Sequence, residues 1–458
     1  AMRVDRRSRI HRILGLVPVS WIVAPVLSLA VVEVCFVFNL DIKYLDCGIA
    51  SLPVEFFIMT RSSFSSASAL PGQGLGSVAI LALGTFAVGT DAFIVSGFLP
   101  SIAQSLQASN SVTGLSVTVF AGTYALLAPV LATVTAPWSR NRVLVGALVV
   151  LAVANLLSAL APDIWTLLAS RALAAVGAAA YTPTATAAGG ALVRPELRAR
   201  AFSLVTGGLT IATALGVPLG NLVSQWFGWR TALGMVAALA ALACVGVALI
   251  MPSLPGQARS SLRARLAVLR RPAVAWVLPL TVVGMTACYI VYAYSVPALQ
   301  ALGIADGRIG MMLLCYGVGA VLGNLLAGYA TDRWGPTPVS VTAYVAMAAS
   351  FGIMAWLAVA GPGHDVAVGL LVLVWGMSSW GQTPPQQLRL TNAAPQEAPL
   401  VVALNASCIY LGIALGTALG AGLLAHGAVA GFAVSALAAL AALGFVAGLA
   451  RHERARPR

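Results

Sequence analysis

The sequence predicts an all-α membrane protein: twelve transmembrane helices in two six-helix bundles related by pseudo-twofold symmetry. Three observations predict it. The composition is too apolar for a water-exposed surface, the apolar residues fall into twelve runs of span length, and the two halves of the chain echo each other at one offset.

Of the 458 residues, 60% are hydrophobic and 9% are charged, whereas soluble chains carry about 25% charged residues. A single soluble core stops growing beyond roughly 250–300 residues, so the apolar excess requires a bilayer as a second solvent. Soluble enzymes, coiled coils, disulfide scaffolds and disordered chains are excluded on that ground.

From residue 77 onward the apolar runs cover 77–98, 114–134, 143–161, 164–190, 201–223 and 230–250, then 274–296, 309–329, 338–360, 367–387, 400–422 and 429–450. At about 1.5 Å per residue each crosses a ~30 Å hydrocarbon layer as a helix. Barrel strands would show alternation over ~10 residues, and these runs are continuous. Helices also satisfy every backbone group internally, as lipid demands. The domain reading is an N-terminal bundle over 77–251, a basic cytoplasmic linker over 252–273, a C-terminal bundle over 274–450 and a basic tail over 451–458.

Loops after the even runs carry twelve Arg (140, 142, 194, 198, 200, 259, 263, 265, 270, 271, 333 and 389), and loops after the odd runs carry only Arg230 and Arg308. Positive residues stay in the cytoplasm, so both ends of the twelve-span core are expected there. Residues 1–76 fit poorly. A span at 13–40 would export Arg3, Arg6, Arg7, Arg9 and Arg12 and would contain Pro18, Pro25 and Glu33. A second crossing at 47–59 is too short, and a signal peptide conflicts with the cytoplasmic start of the core. The segment is read as an extension without a functional span, upstream of a natural start at Met59.

The formal charge of +13 does not imply nucleic acid, because the basic residues are spread through short loops rather than gathered on one face. No GK[ST] tripeptide is present for a P-loop. The six Cys (35, 47, 244, 288, 315 and 408) show no CxxC or metal-ligand spacing and read as apolar fillers. The four His (11, 364, 426 and 452) pair with no Cys or carboxylate at ligand spacing. Asp365, beside His364, reads as a solvated loop residue. No enzyme activity, metal or cofactor is expected.

Gly114 and Gly310, Gly216 and Gly412, and Gly220 and Gly416 each differ by 196 residues. ATVTAPWSRNRVL (132–144) aligns at the same offset with GYATDRWGPTPVS (328–340). Two six-helix halves in one orientation are what a parallel repeat about an axis along the membrane normal predicts.

These residues resemble the major facilitator superfamily over roughly 77–450. GYATDRWG (328–335) is similar to its signature loop G-x-L-A-D-R-x-G between spans eight and nine. After span two the pattern departs: Ala136, Pro137 and Ser139 replace the expected Asp, Arg and Gly, while Arg140 and Arg142 remain. The first span, GTFAVGTDAFIVSGFLPSIAQSL, looks like the drug/proton antiporter branch, in particular its sugar-efflux and chloramphenicol-resistance-like members. RALAAVG (171–177) resembles the membrane-Arg motif of span four. ATALGVPLG (212–220) resembles the antiporter motif of span five, with Val217 inserted before Pro218. The resemblance implies gating roles for Arg140, Gly328, Asp332, Arg333 and Gly335.

Two formal charges, Asp91 and Arg171, sit well inside the predicted core spans. Such residues are functional by default. Asp91 lies nine residues before Pro100 and Arg171 eight after Asp163, so both sit about 12–13 Å from the outer end of their spans. They meet if spans one and four are neighbours, as the resemblance implies. Burial and a nearby Arg act in opposite senses on a carboxylate, which lets Asp91 bind a proton and a polar or cationic substrate in turn. The bland alternative is a structural ion pair.

In span five, Gly208, Ala212, Gly216 and Gly220 recur every four residues, a face on which another helix approaches closely. Pro218 bends that helix. Span eleven carries Gly412, Gly416 and Gly420 without a Pro, so packing is the shared role and a hinge belongs to span five. Met285, Tyr289 and Tyr292 share one face of span seven. With Trp375, Ser379 and Gln382 of span ten, Asn405 of span eleven, and Tyr181 and Thr184 of span four, they form the expected substrate wall, although Tyr and Trp also populate interfacial belts. The functional expectation is a proton-coupled secondary transporter that exports a small organic molecule (a drug, sugar or related metabolite) by alternating access. An uptake symporter and a non-transporting receptor are the alternatives. The expected partners are substrate, protons and the lipid of a bacterial inner membrane; the chain is expected to be monomeric.

Overall fold

The computed structural model describes residues 73–193, 198–256 and 267–454. The N-terminal extension, with the segments 13–40 and 47–59 and the start at Met59, lies outside the described residues, as do residues 257–266 of the basic linker. Helices and short turns make up the described residues, with no strand among them.

Eleven stretches are long and apolar enough to cross a membrane. The last, Leu400–Leu449, has 50 residues, far more than the ~20 that one crossing needs. It divides into the helices Ala398–Leu423 and Gly427–Arg454 around the 3₁₀ turn Leu424–His426. Gly427 takes φ +82° at the restart. Twelve spans result.

Spans one to four are Gln73–Ile94, Asn110–Val134, Arg140–Ala159 and Ile164–Ala191. Asp163 caps the last of these, its Oδ1 accepting from the Thr166 amide at 2.9 Å, and this bond holds the carboxyl below the usual carboxylate range. Span five runs through Arg198–Ile211, a π-turn at Ala212–Gly216 and Val217–Phe227. Pro218 offers no N–H to the Ala214 carbonyl, and widening the turn just before it accommodates the missing bond. Span six is Trp229–Ile250, span seven Pro272–Tyr292, span eight Asp306–Trp334 and span nine Pro336–Ala360.

Span eight is longer than the sequence predicts. Asp332 and Arg333 lie in its last turn rather than in a loop, and both are exposed. Gly335 alone, at φ +82°, connects it to span nine; that conformation is open to glycine at little cost. Span ten is two helices, Asp365–Gly381 and Thr383–Ala393, joined at Gln382. Pro384 and Pro385 follow the joint and withhold the N–H groups that Trp380 and Gly381 carbonyls would otherwise accept. Arg389, expected as a loop charge, sits in the second helix at 6% exposure.

The neighbour relations show the repeat directly. Span two packs on four, three on four and three on six; in the second half eight packs on ten, nine on ten and nine on twelve. Adding six to each label of the first set gives the second. The contacts between halves, span two with eleven and span eight with five, exchange under the same operation, as a pseudo-twofold axis requires.

The stripe of small residues works as the sequence predicts. A Cβ on Gly208 would lie 2.9 Å from the Phe86 amide nitrogen, and one on Gly216 would lie 2.6 Å from Thr90 Oγ1, so span five lies directly against span one. Thr85 Oγ1 donates to the Val205 carbonyl across this contact at 2.5 Å. Gly220 faces the Ile94 side chain. In the second half a Cβ on Gly412 would lie 2.6 Å from Met285 Cβ, and one on Gly416 2.7 Å from the Thr286 carbonyl. Span eleven meets span seven as span five meets span one.

Gly208→Ala is therefore expected to lower stability by about 1–3 kcal/mol through overpacking. Gly207→Ala, where a Cβ meets nothing within 4 Å, should be neutral. Thermal unfolding of the two purified variants checks the difference.

Candidate functional site

Three contacts set the rotation of span one. Thr85 and Thr90 face span five, and the Tyr181 hydroxyl of span four donates to the Leu81 carbonyl at 3.1 Å. Asp91 is thereby turned toward span four. Arg171 Nη1 pairs with Asp91 Oδ1, and Nη2 donates to the Asp91 backbone carbonyl at 2.8 Å. Both side chains are fully buried. Asp91 and Arg171 thus meet as their matched depths predict.

The Arg171 guanidinium carbon lies 4.6 Å from the centroid of Phe120 of span two, a cation–π distance. Asn155 of span three approaches the same carboxylate while its Nδ2 donates to the Leu151 carbonyl at 3.0 Å. Asp91 Oδ2 and Arg171 Nε have no hydrogen-bond partner.

Beyond the ion pair, aromatic rings bridge the two halves. Tyr124 of span two stacks on Tyr410 of span eleven at 3.7 Å between centroids, and Phe120 lies 6.3 Å from Tyr410. Two residues along span one, on the side away from Asp91, Phe93 meets Tyr289, Tyr292 and Trp380 at 6.1, 6.2 and 6.1 Å. Tyr292 lies 4.6 Å from Tyr316 and 6.1 Å from Trp375. Tyr289, Tyr292, Tyr316 and Trp375 are all buried, and the hydroxyls of Tyr289 and Tyr292 and the indole N–H of Trp375 have no hydrogen-bond partner.

The expected substrate wall divides on inspection. Tyr289, Tyr292 and Trp375 come together, with Met285 buried on the same span. Tyr181 is committed elsewhere: it fills the space beside Gly84 and its hydroxyl is bonded within the first bundle. Gln382 fills the equivalent space beside Gly284 in the second bundle. Thr184 is buried on span four. Asn405 Oδ1 accepts from Thr281 Oγ1 at 2.7 Å, tying span eleven to span seven. The Ser379 hydroxyl donates to the Trp375 carbonyl at 2.7 Å.

Sequence reasoning missed Phe93, Phe120, Tyr124, Tyr316, Trp380 and Tyr410. Each lies within a predicted span, so the aromatic signal used for spans seven and ten was present. What was missing was the knowledge of which faces meet.

It also missed a buried polar chain in the second half. Arg389 Nη1 donates to Gln386 Oε1 at 2.9 Å, Gln386 Nε2 to the Tyr344 hydroxyl at 2.9 Å, and that hydroxyl to Gln382 Oε1 at 2.8 Å. Arg389 also donates to Ser340 Oγ at 2.8 Å and Thr337 Oγ1 at 3.1 Å at the start of span nine. Asp365 is a further correction: it pairs with Arg308 rather than standing solvated beside His364.

The residues expected to gate occupy helix ends and the bend. Gly328, Thr331 and Asp332 line a cleft with Pro384, Gln387 and Val402. The Arg140 amide donates to the Leu254 carbonyl at 3.0 Å, joining the start of span three to the segment after span six. Gly216, Pro218 and Gly220 lie at and after the π-turn. Cys244, Cys288, Cys315 and Cys408 are free thiols.

A family model of the Major Facilitator Superfamily matches residues 81–417, with a second match over 288–458. The chain belongs to the major facilitator superfamily. It is 30% identical over 348 residues to the inner membrane transport protein YdhP of Escherichia coli (strain K12), covering 76% of this chain and 88% of that one. It is 28% identical over 342 residues to the MFS-type transporter YbcL of Bacillus subtilis (strain 168), covering 74% and 87%. A solved D-xylose–proton symporter superposes with TM-score 0.65 at 16% identity, over 82% of this chain and 98% of that one. The human organic anion transporter MFSD10 gives TM-score 0.61 at 18% identity, over 82% and 100%. At those identities the two solved structures speak to the fold alone.

Arg171→Leu leaves the buried Asp91 carboxylate unmatched and is expected to cost about 3–5 kcal/mol, whereas the Asp91→Leu/Arg171→Leu double variant should recover most of that loss. Unfolding of the two purified variants in detergent provides the comparison.

Proposed function

We propose that this superfamily member is a proton-coupled exporter of a small organic molecule, of the drug/proton antiporter branch, in a bacterial inner membrane with the ends of its core cytoplasmic. Membership makes the chain a secondary transporter; the finer reading rests on one observation. Among the described residues, Asp91–Arg171 is the one ion pair with both side chains fully buried, and it lies against the rings that join the two halves.

With Asp91 ionised, the pair is closed and carries no net charge. A proton on Asp91 cancels the attraction that holds Nη1, which frees the guanidinium and loosens spans one and four. Substrate and proton then favour different arrangements of the same helices, and only such a difference shifts a conformational equilibrium. The π-turn at Ala212–Gly216, with Pro218 and Gly220 beyond it, supplies the flexible part of span five. Gly328, Asp332, Arg333, Gly335 and Arg140 act at the helix ends where the halves separate.

The antiporter-like span five supports export. Inverted vesicles with an imposed pH gradient and a panel of drugs, sugars and metabolites give the test. The expected result is gradient-driven accumulation that Asp91→Asn abolishes, the variant staying folded because Asn still offers an oxygen to Arg171. Undiminished gradient-driven flux in Asp91→Asn would remove Asp91 from the mechanism. Flux in the opposite direction would make the protein an uptake symporter.

A further inference from the structure

We infer that the transported molecule is an uncharged ring compound bearing several hydrogen-bond acceptors. The inference rests on the reading of the aromatic cluster as the transport site and adds the class of its ligand.

The first argument is hydrogen-bond accounting. Tyr289, Tyr292 and Trp375 are 1%, 1% and 2% exposed, yet neither tyrosine hydroxyl nor the indole N–H reaches a hydrogen-bond partner. Leaving one buried donor unsatisfied is costly, and here three belong to one ring cluster drawn from spans seven and ten. Indole N–H groups donate only. A ligand that relieves these groups must therefore bring acceptors.

The second argument is charge. The nearest carboxylate, Asp91, is held by Arg171 through both its side chain and its backbone carbonyl. The other ion pairs of the described residues, Arg271–Glu397 and Arg308–Asp365, are partly exposed. Aromatic faces do attract cations. A buried cation here, however, would meet Asp91 only through Oδ2 and would have the Arg171 guanidinium as neighbour. An anion would have to pull Arg171 from Asp91. A neutral molecule leaves the pair intact and adds no buried charge.

The third argument is shape. Phe93 meets Tyr292 and Trp380 in edge-to-face geometry, at 87° and 88°, and Tyr316 and Trp375 meet at 69°. Rings so arranged offer faces and edges together, and a further flat ring completes that pattern.

The test is calorimetric binding to the full chain in lipid nanodiscs, corrected with empty discs, using four two-ring probes. These are 6,7-dimethoxycoumarin (neutral, acceptors only), naphthalene (neutral, no acceptor), N-methylquinolinium (cationic) and 1-naphthoate (anionic). Dimethoxycoumarin is expected to bind at least about tenfold tighter than the others, since more than one new bond is made. Tyr292→Phe, which keeps the ring and removes one donor, should weaken dimethoxycoumarin about fivefold and leave naphthalene unchanged. Tyr289→Phe gives an independent second reading. Tighter binding of either charged probe overturns the inference, as does naphthalene matching dimethoxycoumarin, no binding by any probe, or no effect of either variant. Binding needs no gradient. Failed flux with this binding pattern would therefore sink proton-coupled export and leave the substrate class standing, and gradient-driven flux of cations alone would do the reverse.

Discussion

A carboxylate in the middle of a hydrocarbon-spanning bundle is tolerable only if its charge is met where it lies, and the first half of this protein is organised around that requirement. Arg171 meets Asp91 from the adjacent helix through two nitrogens. For that to happen span one must be held at one rotation and one height. The Thr85 bond to span five, the Tyr181 bond to span four and the close approach at Gly208 and Gly216 fix both. The same rotation sends Phe93, about 200° further round the helix, to the rings of the second half. The charge and the aromatic contact are therefore two faces of one constraint.

The scaffold is duplicated, but its chemistry is not. Spans one and five touch through small residues as seven and eleven do, and the contacts between halves exchange under the pseudo-twofold operation. Yet the position 196 residues after Asp91 is Ala287, buried and apolar. The first half carries the ion pair; the second carries unbonded tyrosine and tryptophan tips and a hydrogen-bonded relay that begins at the Arg389 guanidinium. Division of labour in such a repeat needs no change of fold, only different side chains at equivalent sites.

Much of this was legible because helical spans impose periods and lengths. Run lengths gave twelve crossings, fourfold spacing gave the small-residue face, and rise per residue placed Asp91 and Arg171 at one depth. Contacts across long sequence separation were not legible. Asp365 finds Arg308 57 residues away, and nothing in its immediate sequence points there. That Tyr181 and Gln382 pack beside Gly84 and Gly284 inside their own bundles was likewise not legible. Arg389 followed an apolar run and counted as a topology signal. Only the restart of span ten after Gln382 shows that the chain is still helical and enclosed at that point. The chain before Gln73 lies beyond the described residues, so the expectation for Met59 has no structural counterpart.

The single-residue connection at Gly335 has a mechanical consequence. Span eight ends at Trp334 and span nine begins at Pro336, so these ends have no slack between them. Arg389 then grips the opening turn of span nine through Thr337 and Ser340. One covalent pin and one guanidinium clasp make the ends of spans eight, nine and ten a single yoke. Span eight also packs on span five of the opposite half through Gly310 and Gly317, nearer its other end, so a shift between halves carried along span eight bears on three helices together. The buried cation at Arg389 is the clasp of that yoke.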